Sequence, residues 1–296
     1  MLTQTGILPR VLPPSTLLIT GCSTGIGYYC AVQCHQLGYK VMATCRNPSD
    51  VARIKDLGID CFECDLANSD SINHAFAQIV QHLHEQKIAP IAGLFNNAAF
   101  GLPGAIEDLS RAALEHQFQT NVFGTQELTN LVIPLMRQQG FGRIIYNSSI
   151  LGFAAMQYRG AYNASKFAIE GLADTLRLEL KSTGIQVSLI EPGPILSDFR
   201  KNAFIQFKHW INVPSSVHQA QYHAMIDRLE TVGPSAPFTL GPDAVCKALL
   251  HALQAPHAKI RYRVTVPTRV FAVLKRLLPS RWLDRLLIKA GGDGKR

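Results

Sequence analysis

The chain has 296 residues, 47% of them hydrophobic and 17% charged, a globular composition in which no run of eighteen uncharged apolar residues could span a bilayer. Its net charge of +8 raises nucleic-acid binding, but residues 268–296 hold eight Lys/Arg and two Asp, a balance of +6 that leaves only +2 elsewhere, so no basic groove is implied. Seven scattered cysteines, an odd number in a chain this long, fit reduced buried thiols better than a disulfide framework.

The opening MLTQTGILPRVLPP is too short in its apolar part, and too broken by proline, for a secretory signal, so residues 1–15 are expected to be an N-terminal extension of a cytoplasmic protein. Thr16–Thr20 is a short apolar strand ending in Gly21-Cys22-Ser23-Thr24-Gly25-Ile26-Gly27, and a helical segment follows to Gly38. Glycines in such a turn let the backbone approach a pyrophosphate, and the helix N-terminus adds unpaired N–H groups and a positive dipole end. Lys40–Thr44 reads as a second strand. Where a carboxylate would select the ribose 2′-hydroxyl of NAD there stands Cys45-Arg46, and a guanidinium there suits a 2′-phosphate, favouring NADP. Cys61–Cys64 is a third strand, whose two thiols point to opposite faces and so make a poor metal pair.

A helix capped by Ser69 is expected to reach about Gln86, a fourth strand to run over Ile91–Phe95, and one long helix, bent at Pro134, to cover Ser110–Gln139. A fifth strand, Arg143–Tyr146, delivers Ser148 and Ser149 to its end. Tyr162 and Lys166, four apart in an amphipathic helical pattern, share one helix face. An ammonium beside a phenol favours its ionised form. Bringing a phenol from about 10 to near 7 takes about 4 kcal/mol, which one charge at about 4 Å supplies at an effective dielectric near 20. Tyr162 is therefore a candidate proton donor or acceptor. Strands follow at Ile185–Ile190 and Arg261–Val266, with a helix from Asp243 to about Gln254 between them.

The spacing Thr-Gly-x-x-x-Gly-x-Gly at Thr20–Gly27, the Ser-Ser pair and Tyr162-x-x-x-Lys166 together resemble the short-chain dehydrogenase/reductase family over about residues 16–266. The wording is closest to bacterial NADP-dependent aldehyde reductases and the hydroxysteroid and retinol dehydrogenase branch. The resemblance implies a single-domain α/β, Rossmann-type doubly wound parallel sheet flanked by helices. It further implies a catalytic set of Asn121, Ser149, Tyr162 and Lys166. In the family the serine lies thirteen positions before the tyrosine, which selects Ser149 over Ser148. Asn121 would hold a water near Lys166 and complete a proton relay. Gly21, Ser23, Thr24, Gly25, Ile26, Gly27, Arg46, Asp65, Leu66, Asn97, Ala98, Tyr162, Lys166, Pro192, Gly193, Ile195 and Ser197 would bind the cofactor. Two departures stand out: Ala99 replaces a glycine, which is unfavourable if the backbone needs positive φ there, and Ser197 replaces threonine, which keeps the hydroxyl.

The activity implied is hydride transfer between NADP(H) and a carbonyl or alcohol, mainly as reduction, with dimers or tetramers formed through the helices bearing Asn121 and Tyr162. Residues 198–239 correspond to the family's substrate cap. Phe199, Phe204, Phe207, Trp210, Ile211, Tyr222 and Met225, with Phe153, Ala155 and Met156, either line a lipophilic pocket there or pack the cap onto the core. In the tail, residues 268–296, Val270, Val273, Leu274 and Leu277 form one helical stripe. After Pro279-Ser280 a second stripe has Trp282, Leu283, Leu286 and Leu287 against Arg281, Arg285 and Lys289. Such a pair of basic amphipathic helices docks on its own fold, on a second subunit, or peripherally on an anionic membrane. A rival from another class is an NADPH-binding sensor without turnover, against which the complete tetrad argues.

Overall fold

The computed structural model describes residues 9–230, 233 and 236–292. The first eight residues of the N-terminal extension, four of the 198–239 cap region and the last four of the tail lie outside the described residues. The chain alternates strand and helix: β1 (Thr16–Ile19), α1 (Gly25–Gln36), β2 (Lys40–Cys45), α2 (Pro48–Lys55), β3 (Asp60–Glu63), α3 (Ser69–Glu85) and β4 (Ile91–Asn96) come first. Next are α4 (Arg111–Phe118), α5 (Thr125–Gln139), β5 (Gly142–Asn147), α6 (Gly160–Glu179) and β6 (Ile185–Glu191). The chain closes with α7 (Phe199–Trp210), α8 (Gln219–Glu230), α9 (Asp243–Gln254), β7 (Arg261–Arg263), α10 (Val266–Leu277) and α11 (Ser280–Ala290).

The seven strands form one parallel sheet in the order β3-β2-β1-β4-β5-β6-β7. Helices cover both faces, which is why β1, β4 and β5 are buried along their whole length and read as near-continuous apolar runs rather than as alternation. One core holds Cys30, Ala31 and Cys34 of α1 with Val245, Cys246 and Leu249 of α9. The other holds Ile72, Ala75, Ile79 and Leu83, the single inward stripe of α3, with Leu128 and Val132 of α5 and Ile169 and Ala173 of α6. Cys61 of β3 belongs to the first core and Cys64, just past the end of that strand, to the second, so the two thiols lie on opposite faces. All seven cysteines are free and buried. The strand order reverses between β1 and β4, and the chain ends of these two strands define the crevice where such sheets take ligands.

Several local expectations need correction. The cap of α3 is Asn68, whose side chain accepts from the Ser71 N–H, and Ser69 is the first helical residue. Helix α2 has no counterpart in the sequence reading, although Pro48 opens it in the position proline tolerates. The expected continuous helix over 110–139 is interrupted by a π-helical turn at Gln119–Gly124. The last strand stops at Arg263, and Val266 already begins α10. No helix among the described residues is long and apolar enough to cross a membrane.

Candidate active site

The turn after β1 is built for close backbone approach. Gly21 and Gly25 have φ of +69° and +60°, and a Cβ on Gly21 would lie 2.8 Å from the Ala98 Cα. Gly27 plays a different part: it does not line the cavity, and its Cβ would fall 2.1 Å from the Gly21 carbonyl oxygen, so it lets α1 pack against its own turn. The N-terminus of α1 has no side-chain cap from Thr24, which leaves its first N–H groups available to an anion. Across the switch point, Asn97 donates to the Thr20 and Gly21 carbonyls at 3.0 and 3.3 Å, and the Thr20 hydroxyl accepts from the N–H groups of Asn97 and Ala98 at 3.0 Å each. Ala99 is not among the described residues with left-handed backbone, so its Cβ costs nothing there.

A cavity of about 790 Å³ runs from this turn to the helices after β6. Gly21, Ser23, Thr24, Gly25, Ile26, Arg46, Asp65, Leu66, Asn97 and Ala98 line one end. Ser149, Tyr162, Lys166, Pro192, Gly193, Ile195 and Ser197 line its middle. These residues fit a dinucleotide, because Gly21 and Gly25 line the cavity with bare backbone at the start of α1 and the exposed Arg46 lines it too. Asp50, an acid beside Arg46 in that wall, is paired with Arg53 at 2.8 Å.

The catalytic candidates sit deep. Helix α6 presents Tyr162 and Lys166 to the end of β5, and Lys166 Nζ donates to the Asn147 carbonyl at 2.6 Å while lying 5.7 Å from the Tyr162 ring centroid. The expected acidic phenol is absent from this state. Burial pushes Tyr162 up to about 12, with Ser149 and Arg159 pulling the other way. Burial also pushes Lys166 down to about 8, which Glu170 opposes. Desolvation outweighs attraction because the ammonium is spent on a backbone carbonyl rather than on the phenolic oxygen. Of the two serines, Ser149 is the one whose hydroxyl reaches Tyr162, whereas Ser148 lies against Glu170.

Asn121 is buried in the π-helical turn and does not line the cavity. Its amide donates to the Phe100 carbonyl and the Ser165 hydroxyl at 3.0 Å each and accepts from the Phe100 N–H at 3.2 Å. Through these bonds Asn121 clamps the loop after β4 onto α6. Gln117, which the sequence reading passed over, grips the same loop by accepting from the Leu102 N–H and donating to the Phe100 carbonyl, both at 2.8 Å. Asn147 was also missed. It carries the Lys166 contact on its carbonyl and donates from its amide to Asn97 at 2.9 Å.

The apolar residues after β6 divide. Phe207, Ile211, Tyr222 and Met225 pack a third core with Leu102, Leu109 and Ala161, and Phe204 and Trp210 pack onto it. Of those named in the 198–239 stretch only Phe199 reaches the cavity, edge-on to Tyr162 at 5.3 Å. Met156 lines it too, whereas Phe153 and Ala155 do not. Leu102, Ile150, Leu196, Ile205 and Phe238 complete an apolar wall, and Arg159, Arg200 and Arg228 bring positive charge to the same end. Burial and the two neighbouring arginines press Arg228 down to about 9.

Residues 15–206 match the family model described as short chain dehydrogenase. The chain is 40% identical over 283 residues to the uncharacterized oxidoreductase YbbO of Escherichia coli strain K12, covering 96% of this chain and 97% of that one. It is 31% identical to a 3-ketodihydrosphingosine reductase of Bacteroides thetaiotaomicron, over 93% of this chain and 97% of that one. A crystal structure of a short-chain dehydrogenase/reductase from Burkholderia phymatum in complex with NAD superposes with a TM-score of 0.71 at 22% identity, covering 88% and 92% of the two chains.

Proposed function

Because the chain belongs to the short-chain dehydrogenase/reductase family and is an oxidoreductase of that fold, we propose that it reduces lipophilic aldehydes or ketones with NADPH. The observation that carries this reading is the convergence of Ser149, Tyr162 and Lys166 with the glycine turn on one cavity whose far wall is apolar. NADPH, when bound, supplies the hydride. Gly21, Ser23, Thr24, Gly25 and Ile26 hold the pyrophosphate on the α1 N-terminus, Asp65 and Leu66 the adenine side, and Pro192, Gly193, Ile195 and Ser197 the nicotinamide side. The preference for NADP over NAD rests on Arg46 and on the neutralisation of Asp50 by Arg53.

Ser149 donates to the substrate oxygen and orients it, and Tyr162 donates the proton that oxygen takes up. A phenol near 12 keeps its proton in the resting state, which suits an acid. Lys166 binds the ribose and restores the acid between turnovers, and Asn121 acts by fixing α6. Leu102, Leu196, Phe199, Ile205 and Phe238 exclude water from the reacting carbonyl, with residues 198–239 forming the cap. Homo-oligomerisation is part of the proposal, supported by the exposed Phe123 and Phe167 beside the two catalytic helices, as is a cytoplasmic location.

The test is oxidation of NADPH, and separately of NADH, with a series of aldehydes of rising chain length. Turnover that rises with chain length and prefers NADPH supports the reading. Tight NADPH binding without turnover of any carbonyl or alcohol favours the sensor instead.

A further inference from the structure

The last two helices are turned the wrong way round for a soluble surface. In α10, Val266, Val270, Val273 and Leu277 fall at i, i+4, i+7 and i+11 and form one stripe, yet they are 51, 47, 52 and 73% exposed, while the buried positions are Thr268 and Ala272. A surface helix normally sends that stripe into the core. In α11 the pattern repeats, with Trp282 62% exposed and Leu286 beside it. Of the expected stripe, Val270, Val273 and Leu277 are exposed and Leu274 is half-buried.

Exposed basic side chains border both stripes: Arg269 and Arg276 on α10, then Arg281, Arg285 and Lys289 on α11, with the Arg285 guanidinium 6.0 Å from the Trp282 ring. Residues 268–296 carry +6 of the chain's +8. A second copy laid on this face would bring like charge to like charge, whereas an anionic lipid surface answers both the apolar stripe and its basic borders. No described helix can span a bilayer, so the contact is interfacial. We propose that α10 and α11 seat the protein on an anionic membrane surface, with the stripe among the acyl chains and the basic residues on the phosphates.

The same helices wall the cavity. Pro267 and Phe271 of α10 and Ala290 of α11 line it, and the root of α10 is packed tightly under the nicotinamide-side loop, since a Cβ on Gly193 would lie 2.2 Å from the Thr265 hydroxyl. At the mouth stand Leu196, Ile205 and Phe238, each at least half exposed. Resting on the carbonyl-reductase reading, the consequence is that a lipophilic substrate enters from the bilayer rather than from water.

The experiment floats the full chain with vesicles of phosphatidylcholine alone and of phosphatidylcholine mixed with phosphatidylglycerol, at low and high salt. Expected are flotation with the anionic vesicles only, release by salt within the screening range, and a blue shift of Trp282 emission. Arg281→Glu/Arg285→Glu/Lys289→Glu should weaken partitioning at least about a hundredfold, from roughly a factor of five per basic residue. Val273→Glu/Leu277→Glu should abolish insertion. Circular dichroism and turnover of a short water-soluble aldehyde without vesicles should be unchanged in both variants, because the altered side chains are exposed and line no part of the cavity. Absence of flotation, equal binding to phosphatidylcholine, or flotation that survives both variants overturns the proposal. So does sedimentation in which the wild type alone forms a larger oligomer, which assigns the face to a second copy. Flotation without turnover of any carbonyl defeats only the catalytic reading, and turnover without flotation only this one.

Discussion

Tyr162 and Lys166 divide one proton problem between them, and each assignment has its own measurement. Replacing Tyr162 by Phe removes the proton donor but no cavity wall, so turnover is expected to fall about 10²–10⁴-fold while NADPH binding, read by its fluorescence, is retained. A variant that keeps most of its activity removes the phenol from the mechanism. Burial holds Lys166 near about 8, so its ammonium is present at neutral pH and is lost as pH rises through that value. NADPH affinity is expected to weaken above about pH 8, and the Lys166→Met variant to bind more weakly with a flat profile. A wild-type profile flat across that range would separate Lys166 from the ribose. The positions of Tyr162 and Lys166 were legible because spacing on a helix is local. Their proton affinities were not, because they depend on the desolvation that a complete core imposes.

At the level of elements, the break between α4 and α5 matters most. Helical periodicity over 110–139 has no way to signal a π-helical turn, since the extra residue is stabilised by groups distant in sequence: the Phe100–Leu102 loop that Gln117 and Asn121 hold. π-turns of this kind recur at functional sites. Gln117 is fully buried, and Gln117→Ala strands the Leu102 N–H and leaves the Phe100 carbonyl to Asn121 alone. A loss of about 1–3 kcal/mol is expected, measured as a lower urea midpoint, together with a raised KM because Phe100 and Leu102 line the cavity. An unchanged midpoint and KM would show that Asn121 alone secures the loop. The residues after β6 give the same lesson. Their aromatic content left a pocket wall and a packed cap as alternatives, and most of it became a core of its own once α7 and α8 closed over Leu102 and Leu109.

Across the whole molecule, Arg261 of β7 ties three elements together. It meets Glu170 at 2.9 Å and Asp174 at 2.6 Å on α6, and Glu191 at 3.0 Å at the end of β6, where Arg263 also approaches at 3.3 Å. Arg261→Met leaves two buried carboxylates short of their partner and is expected to cost about 3–5 kcal/mol. Glu191 is pushed up to about 7, first by burial and then by Glu170. The folded protein therefore holds a proton that the unfolded chain releases near its ordinary 4.5. Stability contributed by that proton is complete below the unfolded value and is lost as pH rises through about 7. The urea midpoint should fall between about pH 5 and about pH 7, and Glu191→Gln should flatten that slope. A midpoint that rises over the interval would contradict the assignment.

The order of the strands, the glycine turn and the placing of Tyr162 and Lys166 on one helix face were legible in the sequence alone. All of them are written in local spacing, hydrophobic runs and side-chain type. Which side chains face the cavity, how far burial moves Tyr162 and Lys166, where Asn121 spends its amide, and that the final helices carry their apolar stripe outward were decided only by the tertiary structure. Each of these depends on which distant surfaces meet, because desolvation and hydrogen-bond pairing belong to the assembled interior and not to any one segment.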